Sequence, residues 1–162
     1  MKRSIINGGL FTVLTACLLG SAKPASAAEA DVNSATEALV QINAFRKENG
    51  LPPLAMKHKL NTAAWNYAEV MAKMDKMGHT VNGTTVAQRI DAQGYRYAKY
   101  FENVAYNKGH ANPGAQAVKS WRESKSGHRE AMLNREVTEM GIGAWTSSSG
   151  KVYFCLVLGK PR

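Results

Sequence analysis

The sequence MGIGAWTSSSGKVYFCLVL occupies residues 140–158 and contains two apolar runs separated by a polar stretch. The runs, residues 140–145 and 151–158, combine aliphatic and aromatic side chains, as is typical of β-strands. Residues 146–150 between them, TSSSG, have the composition of a turn. This stretch therefore predicts a β-hairpin near the end of the chain.

Helix signals precede the hairpin. Residues 34–37, SATE, have the pattern of a capping box, which predicts a helix that begins at Ser34 and ends before Gly50. Apolar residues then recur at three- and four-residue spacing from Leu60 to Met74, which predicts a second helix. We expect Gly78 to end this helix as a left-handed C-cap.

Shorter signals lie between the second helix and the hairpin. Residues 85–88 form another capping-box pattern, and Asn112-Pro113 is typical of a helix start. The helix beginning at Pro113 is expected to bury Ala117, Val118 and Trp121. Residues 101–106 favour a strand. Helices first and a hairpin last, without strand–helix alternation, predict an α+β fold with an antiparallel sheet.

The N-terminal segment has the features of an export signal. Basic residues at 2 and 3 precede a run of apolar or small residues at 8–22, and Ala25-Ser26-Ala27 fits a signal-peptidase site. We predict that residues 1–27 are a signal peptide, that 28–34 are a disordered leader, and that 35–160 form one domain. The mature protein is then secreted or periplasmic, with no transmembrane segment.

An alternative cleavage site lies inside the same segment. Residues 14–17, LTAC, resemble a bacterial lipobox, in which acylation of Cys17 would make the protein a lipoprotein. Cleavage after Ala27 instead leaves Cys155 as the only thiol, so no internal disulfide can form. Since Cys155 lies in an apolar run, we expect it to be buried.

The chain is basic, with a formal net charge of +9. The predicted signal peptide carries three cations and no acidic residue, so its removal leaves +6. These cations are scattered and form no recognisable nucleic-acid-binding motif, which argues against a nucleic-acid partner. A basic exported protein is attracted to anionic cell-surface components.

Several short motifs, taken in order, resemble bacterial domains of the CAP (SCP) superfamily. They are residues 78–80 (GHT), 87–90 (AQRI), 102–105 (ENVA), 126–134 (SGHREAMLN) and 139–143 (EMGIG). The resemblance extends over residues 35–160. It implies a three-layer α-β-α sandwich with a central antiparallel sheet, which makes the α+β prediction more specific.

The resemblance also implies a cleft that holds two histidines and two glutamates. His79, Glu102 and His128 match three of these positions, whereas the second glutamate is replaced by Ser124. Glu123, one position away, is the only candidate for a catalytic base. Imidazole and carboxylate groups are ordinary ligands of Zn²⁺, so we expect His79 and His128 to bind Zn²⁺ or a similar ion, with Glu102 beside them.

Two functions are compatible with this cleft. CAP relatives imply a binding or signalling module that acts on a lipid, a sterol or an anionic cell-surface component, with roles in defence or virulence. The alternative is a metal-dependent hydrolase. The chain contains no His-Glu-x-x-His or Gly-x-Ser-x-Gly motif, which favours the binding module. We expect a monomer, with His58 exposed near a helix start. His110 is expected in a loop, either away from the cleft or at its border.

Overall fold

The computed structural model describes residues 26–162. The elements are α1 (Ala27–Glu48), β1 (Ala55–Met56), α2 (His58–Lys73), α3 (Val86–Ala92), β2 (Tyr97–Asn107), α4 (Pro113–Glu123), α5 (His128–Met132), β3 (Glu139–Thr146) and β4 (Val152–Pro161). The four strands form one sheet with the order β1-β3-β4-β2. Strands β3 and β4 form the predicted antiparallel hairpin, β2 pairs antiparallel with β4, and the two-residue β1 pairs parallel with β3.

Helices cover both faces of the sheet, which confirms the three-layer α-β-α fold. On one face, α1, α4 and α5 pack over a core that includes Phe45, Trp121 and Phe154. On the other, α2 and α3 pack over a second core that includes Tyr67 and Cys155. Strand β2 lies at one edge of the sheet.

Glycines in β3 bring α2 unusually close to the sheet. A Cβ atom at Gly141 would overlap the backbone of Leu60, and one at Gly143 would overlap the backbone of Trp65. Only glycine permits this contact without displacement of the helix. The two glycines therefore fix the position of α2, which leads into the loop that carries His79.

The expected disordered leader at 28–34 is wrong, because these residues are helical. Helix α1 begins at Ala27, and the capping box that forms is Ser26 with Glu29. Asp31 in the second turn is buried and accepts hydrogen bonds from the backbone and hydroxyl of Thr146. Ser34 lies inside the helix and donates to Ala30 O at 2.8 Å. The contact with β3 extends the helix beyond the start that the SATE pattern predicts.

The end of α2 also differs from the prediction. The helix ends at Lys73, and Asp75, not Gly78, takes the left-handed conformation, with φ of 46°. The Asp75 carboxylate accepts hydrogen bonds from Lys151, Tyr153 and Ser149 in the hairpin. Those hydrogen bonds, led by the one from Lys151, lower the pKa of Asp75 to about 2. Tertiary contacts thus stabilise a backbone conformation that glycine would otherwise favour.

Other local predictions are confirmed. Thr85 and Gln88 form the predicted capping box of α3, and α4 begins at Pro113. Asn112 precedes α4, but its side chain makes no capping hydrogen bond. Cys155 is fully buried, and burial, followed by the neighbouring Glu102 charge, raises its pKa well above the usual thiol value.

The predicted signal peptide and the alternative lipobox at Cys17 involve residues that lie almost wholly outside the described part of the chain. Both remain predictions. Within residues 26–162, no helix has the length and apolar character needed to cross a membrane.

Candidate binding cleft

Glu102 lies near the middle of β2 and has a side chain only 2% exposed. One carboxylate oxygen, Oε1, accepts a hydrogen bond from His79 Nδ1 at 2.8 Å. The other, Oε2, accepts from Arg89 Nη2 at 2.6 Å and from Cys155 Sγ at 3.3 Å. A buried carboxylate requires such donors to remain charged. Both oxygens of Glu102 are therefore already engaged.

Arg89 connects Glu102 to the loop that carries His79. Its Nη1 donates to His79 O at 3.0 Å and to Thr84 O at 2.7 Å. The guanidinium group also stacks on the Tyr67 ring, with Cζ 3.4 Å from the ring centroid. Arg89 thus neutralises the buried carboxylate and fixes the loop backbone with a single side chain.

Tyr67 holds the same loop from α2. Its hydroxyl donates to Gly78 O at 2.7 Å and accepts from Val81 N at 3.0 Å. Burial raises the pKa of Tyr67, so the hydroxyl stays protonated and can act as both donor and acceptor. These contacts orient the His79 side chain toward Glu102, although that side chain is 51% exposed.

His128 is the first residue of α5 and lies on the other side of β2. Its Nδ1 is 2.8 Å from Ser124 Oγ, which also accepts from Ser126 N at 3.1 Å. Asn103, buried next to Glu102 in the strand, donates to His128 O at 2.9 Å. The adjacent residues Glu102 and Asn103 thus hold the two histidine-bearing segments from a single point on β2.

The two imidazoles are close enough to interact electrostatically. Burial lowers the pKa of His128, and electrostatic repulsion from His79 lowers it further, against an opposing effect of Glu130. His128 is therefore neutral at pH 7. Among the described residues, neither Nε2 atom has a hydrogen-bond partner, so each is available to an external group.

The lowered pKa of His128 predicts a pH-dependent contribution to stability. The unfolded-state pKa is about 6.5, so the contribution is complete above that pH and is lost as the pH falls through the lower folded-state value. We expect the free energy of unfolding, measured by urea denaturation, to fall less between pH 7.5 and 5 in His128→Gln than in wild type. His58→Gln, at an exposed position, should keep the wild-type slope. Equal slopes in all three proteins would contradict the prediction.

His79, Glu102 and His128 do not form a three-group metal shell. Within residues 26–162, no group of three or more His, Cys, Asp or Glu side chains is placed to hold a metal ion. Glu102 accepts a hydrogen bond from His79, and neither of its carboxylate oxygens is free to bind a metal ion. The donor set that fits a metal is limited to the Nε2 atoms of His79 and His128.

Glu123, the candidate catalytic base, is exposed at the end of α4. It lines a different hollow, together with Lys119, Arg122 and Arg129, and no cleft histidine contributes to that lining. His58 and His110 are both exposed, and neither is among the hydrogen-bond partners of His79, Glu102 or His128.

Arg89 and Tyr67 are site residues that the sequence analysis did not identify. Arg89 lies in the quoted AQRI motif, but nothing in the motif assigns it to Glu102. A buried glutamate needs a cationic partner. That requirement is the one feature from which an arginine next to Glu102 could have been predicted. Tyr67 has the spacing of an ordinary core residue on α2, and its polar role depends on the loop that folds over it.

Comparison with known proteins places this chain in a family. Residues 39–158 match the family described as "CAP: Cysteine-rich secretory protein family". The Bacillus subtilis protein YkwD is 29% identical over 139 residues, which cover 83% of this chain and 51% of YkwD. This chain spans about half or less of the length of its Bacillus subtilis relatives.

Solved structures share the fold. An outer surface protein of Borrelia burgdorferi superposes with a TM-score of 0.71 at 24% identity, covering 80% of this chain and 93% of that protein. An extracellular protein of Bacillus anthracis that contains an SCP domain gives a TM-score of 0.73 at 19% identity, covering 86% of this chain and 45% of that one.

Proposed function

Because this chain belongs to the CAP (cysteine-rich secretory protein) family, we propose that it is a non-enzymatic binding module whose cleft binds a divalent cation such as Zn²⁺. The observation that carries this proposal is that each cleft histidine is held through its Nδ1 atom by a neighbouring side chain. Glu102 and Ser124 engage the Nδ1 atoms of His79 and His128, which leaves both Nε2 atoms free.

The chemistry of the two histidines supports a metal ligand role. Histidines that bind metals typically donate their second ring N–H to a carboxylate or another acceptor, which fixes the tautomer and ring orientation. His79 has this arrangement with Glu102, and His128 can have it with Ser124. Two protein nitrogens leave tetrahedral Zn²⁺ with two further positions for water or an external ligand, so we expect weak affinity.

The same contacts disfavour the hydrolase alternative. Metal-assisted hydrolysis requires a base that can accept a proton from the attacking water. Glu102 is the only carboxylate in residues 26–162 that hydrogen-bonds either cleft imidazole, and its oxygens are held by Arg89 and His79. Glu123 lines another hollow. A site with ligands but without a free base is suited to binding.

We also propose that the protein acts outside the cytoplasm, on a lipid, a sterol or an anionic cell-surface component. The N-terminal charge pattern and the Ala25-Ser26-Ala27 site support export. The outer-surface and extracellular relatives are consistent with that location.

Calorimetric titration with Zn²⁺ tests the binding proposal. We expect His79→Ala and His128→Ala each to lower the affinity more than about tenfold, since each removes one of two protein nitrogens. Affinity should also fall as the pH is lowered, because only neutral imidazole binds metal. His58→Ala and His110→Ala are matched controls and should leave the affinity unchanged.

Two results would contradict the proposal. If both cleft variants bind Zn²⁺ as wild type does, the cation binds elsewhere. A zinc-dependent peptidase or esterase activity that disappears in His128→Ala would instead show that the cleft is catalytic.

A further inference from the structure

We propose that a second site, separate from the histidine cleft, binds a phosphate group. The site is a hollow of about 480 Å³ beside α4, lined by residues of α1, α4 and α5. Its polar side chains are Gln41, Lys119, Arg122, Glu123 and Arg129. We refer to it as the arginine hollow.

The two arginines of this hollow are held by one aromatic ring. Arg122 and Arg129 lie against Phe45, with their Cζ atoms 4.4 Å and 5.0 Å from the ring centroid. Phe45 is 2% exposed and fixed in the core. Contact with the ring restrains the guanidinium groups but leaves their N–H donors available to an anion. The arginines are thus partly ordered before any ligand arrives.

Most donors of these arginines have no partner in the described part of the chain. Arg122 Nη2 donates to Glu48 Oε2 at 3.0 Å, in a pair whose side chains are 38% and 54% exposed. Pairs this exposed contribute little and are readily exchanged. Arg129 makes a single long contact, 3.5 Å, with Arg122 O. Each guanidinium group has five N–H donors, so most remain available.

The local charge is positive despite two carboxylates. The positive charges are those of Lys119, Arg122 and Arg129, and the negative charges are those of Glu48 and Glu123. Among residues 26–162, Lys119 has no carboxylate within ion-pair distance. The hollow and the Glu48 pair together therefore carry three cations against two acids, which favours an anion.

The geometry suits a phosphate group better than a carboxylate. Guanidinium groups bind phosphate through paired N–H donors, and a tetrahedral phosphate offers oxygens to two arginines and a lysine at once. A carboxylate offers only two oxygens in one plane. The phosphate could belong to a soluble ester or to a phospholipid headgroup, and the experiment below separates these sources.

Glycerol 1-phosphate and vesicles serve as probes, with EDTA present so that no metal in the histidine cleft can hold the phosphate. We expect wild type to bind glycerol 1-phosphate in ³¹P NMR titrations, and the double variant Arg122→Gln/Arg129→Gln to bind at least tenfold more weakly.

Arg96→Gln/Arg135→Gln removes the same charge at exposed positions outside the hollow and should change the affinity less than twofold. Arg122→Lys/Arg129→Lys keeps the charge and the fold but lacks the paired donors, so it should also lose most of the affinity.

Sedimentation with vesicles identifies the source of the phosphate. Binding to phosphatidylglycerol–phosphatidylcholine vesicles but not to glycerol 1-phosphate, lost in both hollow variants but not in Arg96→Gln/Arg135→Gln, supports the site with a lipid headgroup as ligand. Equal losses in the hollow and control variants would show diffuse charge attraction and overturn the proposal. Unchanged binding in the hollow variants, or no binding of either probe by wild type, would also overturn it. Zinc affinity should not change in any of these variants.

Discussion

Replacing Arg89 by methionine is expected to lower the free energy of unfolding by about 3–5 kcal/mol, the usual cost of leaving one member of a buried ion pair alone. Glu102 is 2% exposed and Arg89 is 11% exposed, so water cannot replace the lost cation at low cost. The variant also loses the hydrogen bonds to His79 O and Thr84 O. Urea denaturation at pH 7.5 measures the effect.

A double variant separates the charge effect from the lost packing. Arg89→Met/Glu102→Gln removes both charges, so it should recover a substantial part of the stability lost in Arg89→Met. A loss below about 1 kcal/mol in Arg89→Met would show that Glu102 does not depend on this arginine.

Trp121→Ala is the second large effect and is expected to destabilise the protein by about 3–5 kcal/mol. The indole ring is 1% exposed in the core between α4 and the sheet. Its Nε1 also donates to Val104 O of the edge strand β2 at 3.1 Å. Thermal and urea denaturation should both show the loss.

Trp121→Phe is the matched control, because it keeps an aromatic ring and removes the donor to Val104. We expect it to cost less than Trp121→Ala, with about 1 kcal/mol due to the hydrogen bond. A Trp121→Ala protein that melts within about one degree of wild type would contradict the placement of this helix in the core.

Features of the fold that depend on local sequence could be predicted. The Thr85–Gln88 capping box and the Pro113 helix start depend on neighbouring residues, and the strand–turn–strand pattern at 140–158 determines the hairpin. The first helix was predicted to begin too late, because the SATE pattern occurs inside it. Its true start is stabilised by Asp31 bonded to Thr146, a contact 115 residues apart in sequence that no local pattern shows.

The end of α2 illustrates the same difference. Gly78 is a reasonable helix end on local sequence alone. The chain turns at Asp75 instead, because three side chains of the hairpin donate hydrogen bonds to the Asp75 carboxylate. The short strand β1 likewise forms only because Ala55 and Met56 pair with β3. Non-local contacts of this kind override propensity.

The cleft residues were identified through resemblance, and their roles came from the structure. His79, Glu102 and His128 match family positions, but the sequence could not show that Glu102 is fully engaged. The partners responsible, Arg89 and Cys155, come from α3 and β4 and meet Glu102 only in the folded protein. The structure adds that Glu102 and Ser124 orient the two histidines predicted to bind metal.

The central claim is that His79 and His128 present their Nε2 atoms together to a metal ion. Long-range ¹⁵N–¹H NMR of the imidazoles during a Zn²⁺ titration tests it most directly. The account predicts that both rings carry their proton on Nδ1 and that both Nε2 resonances shift in parallel as zinc is added, while those of His58 and His110 do not. Shifts confined to His58 or His110, or a cleft histidine protonated on Nε2 and unaffected by zinc, would contradict it.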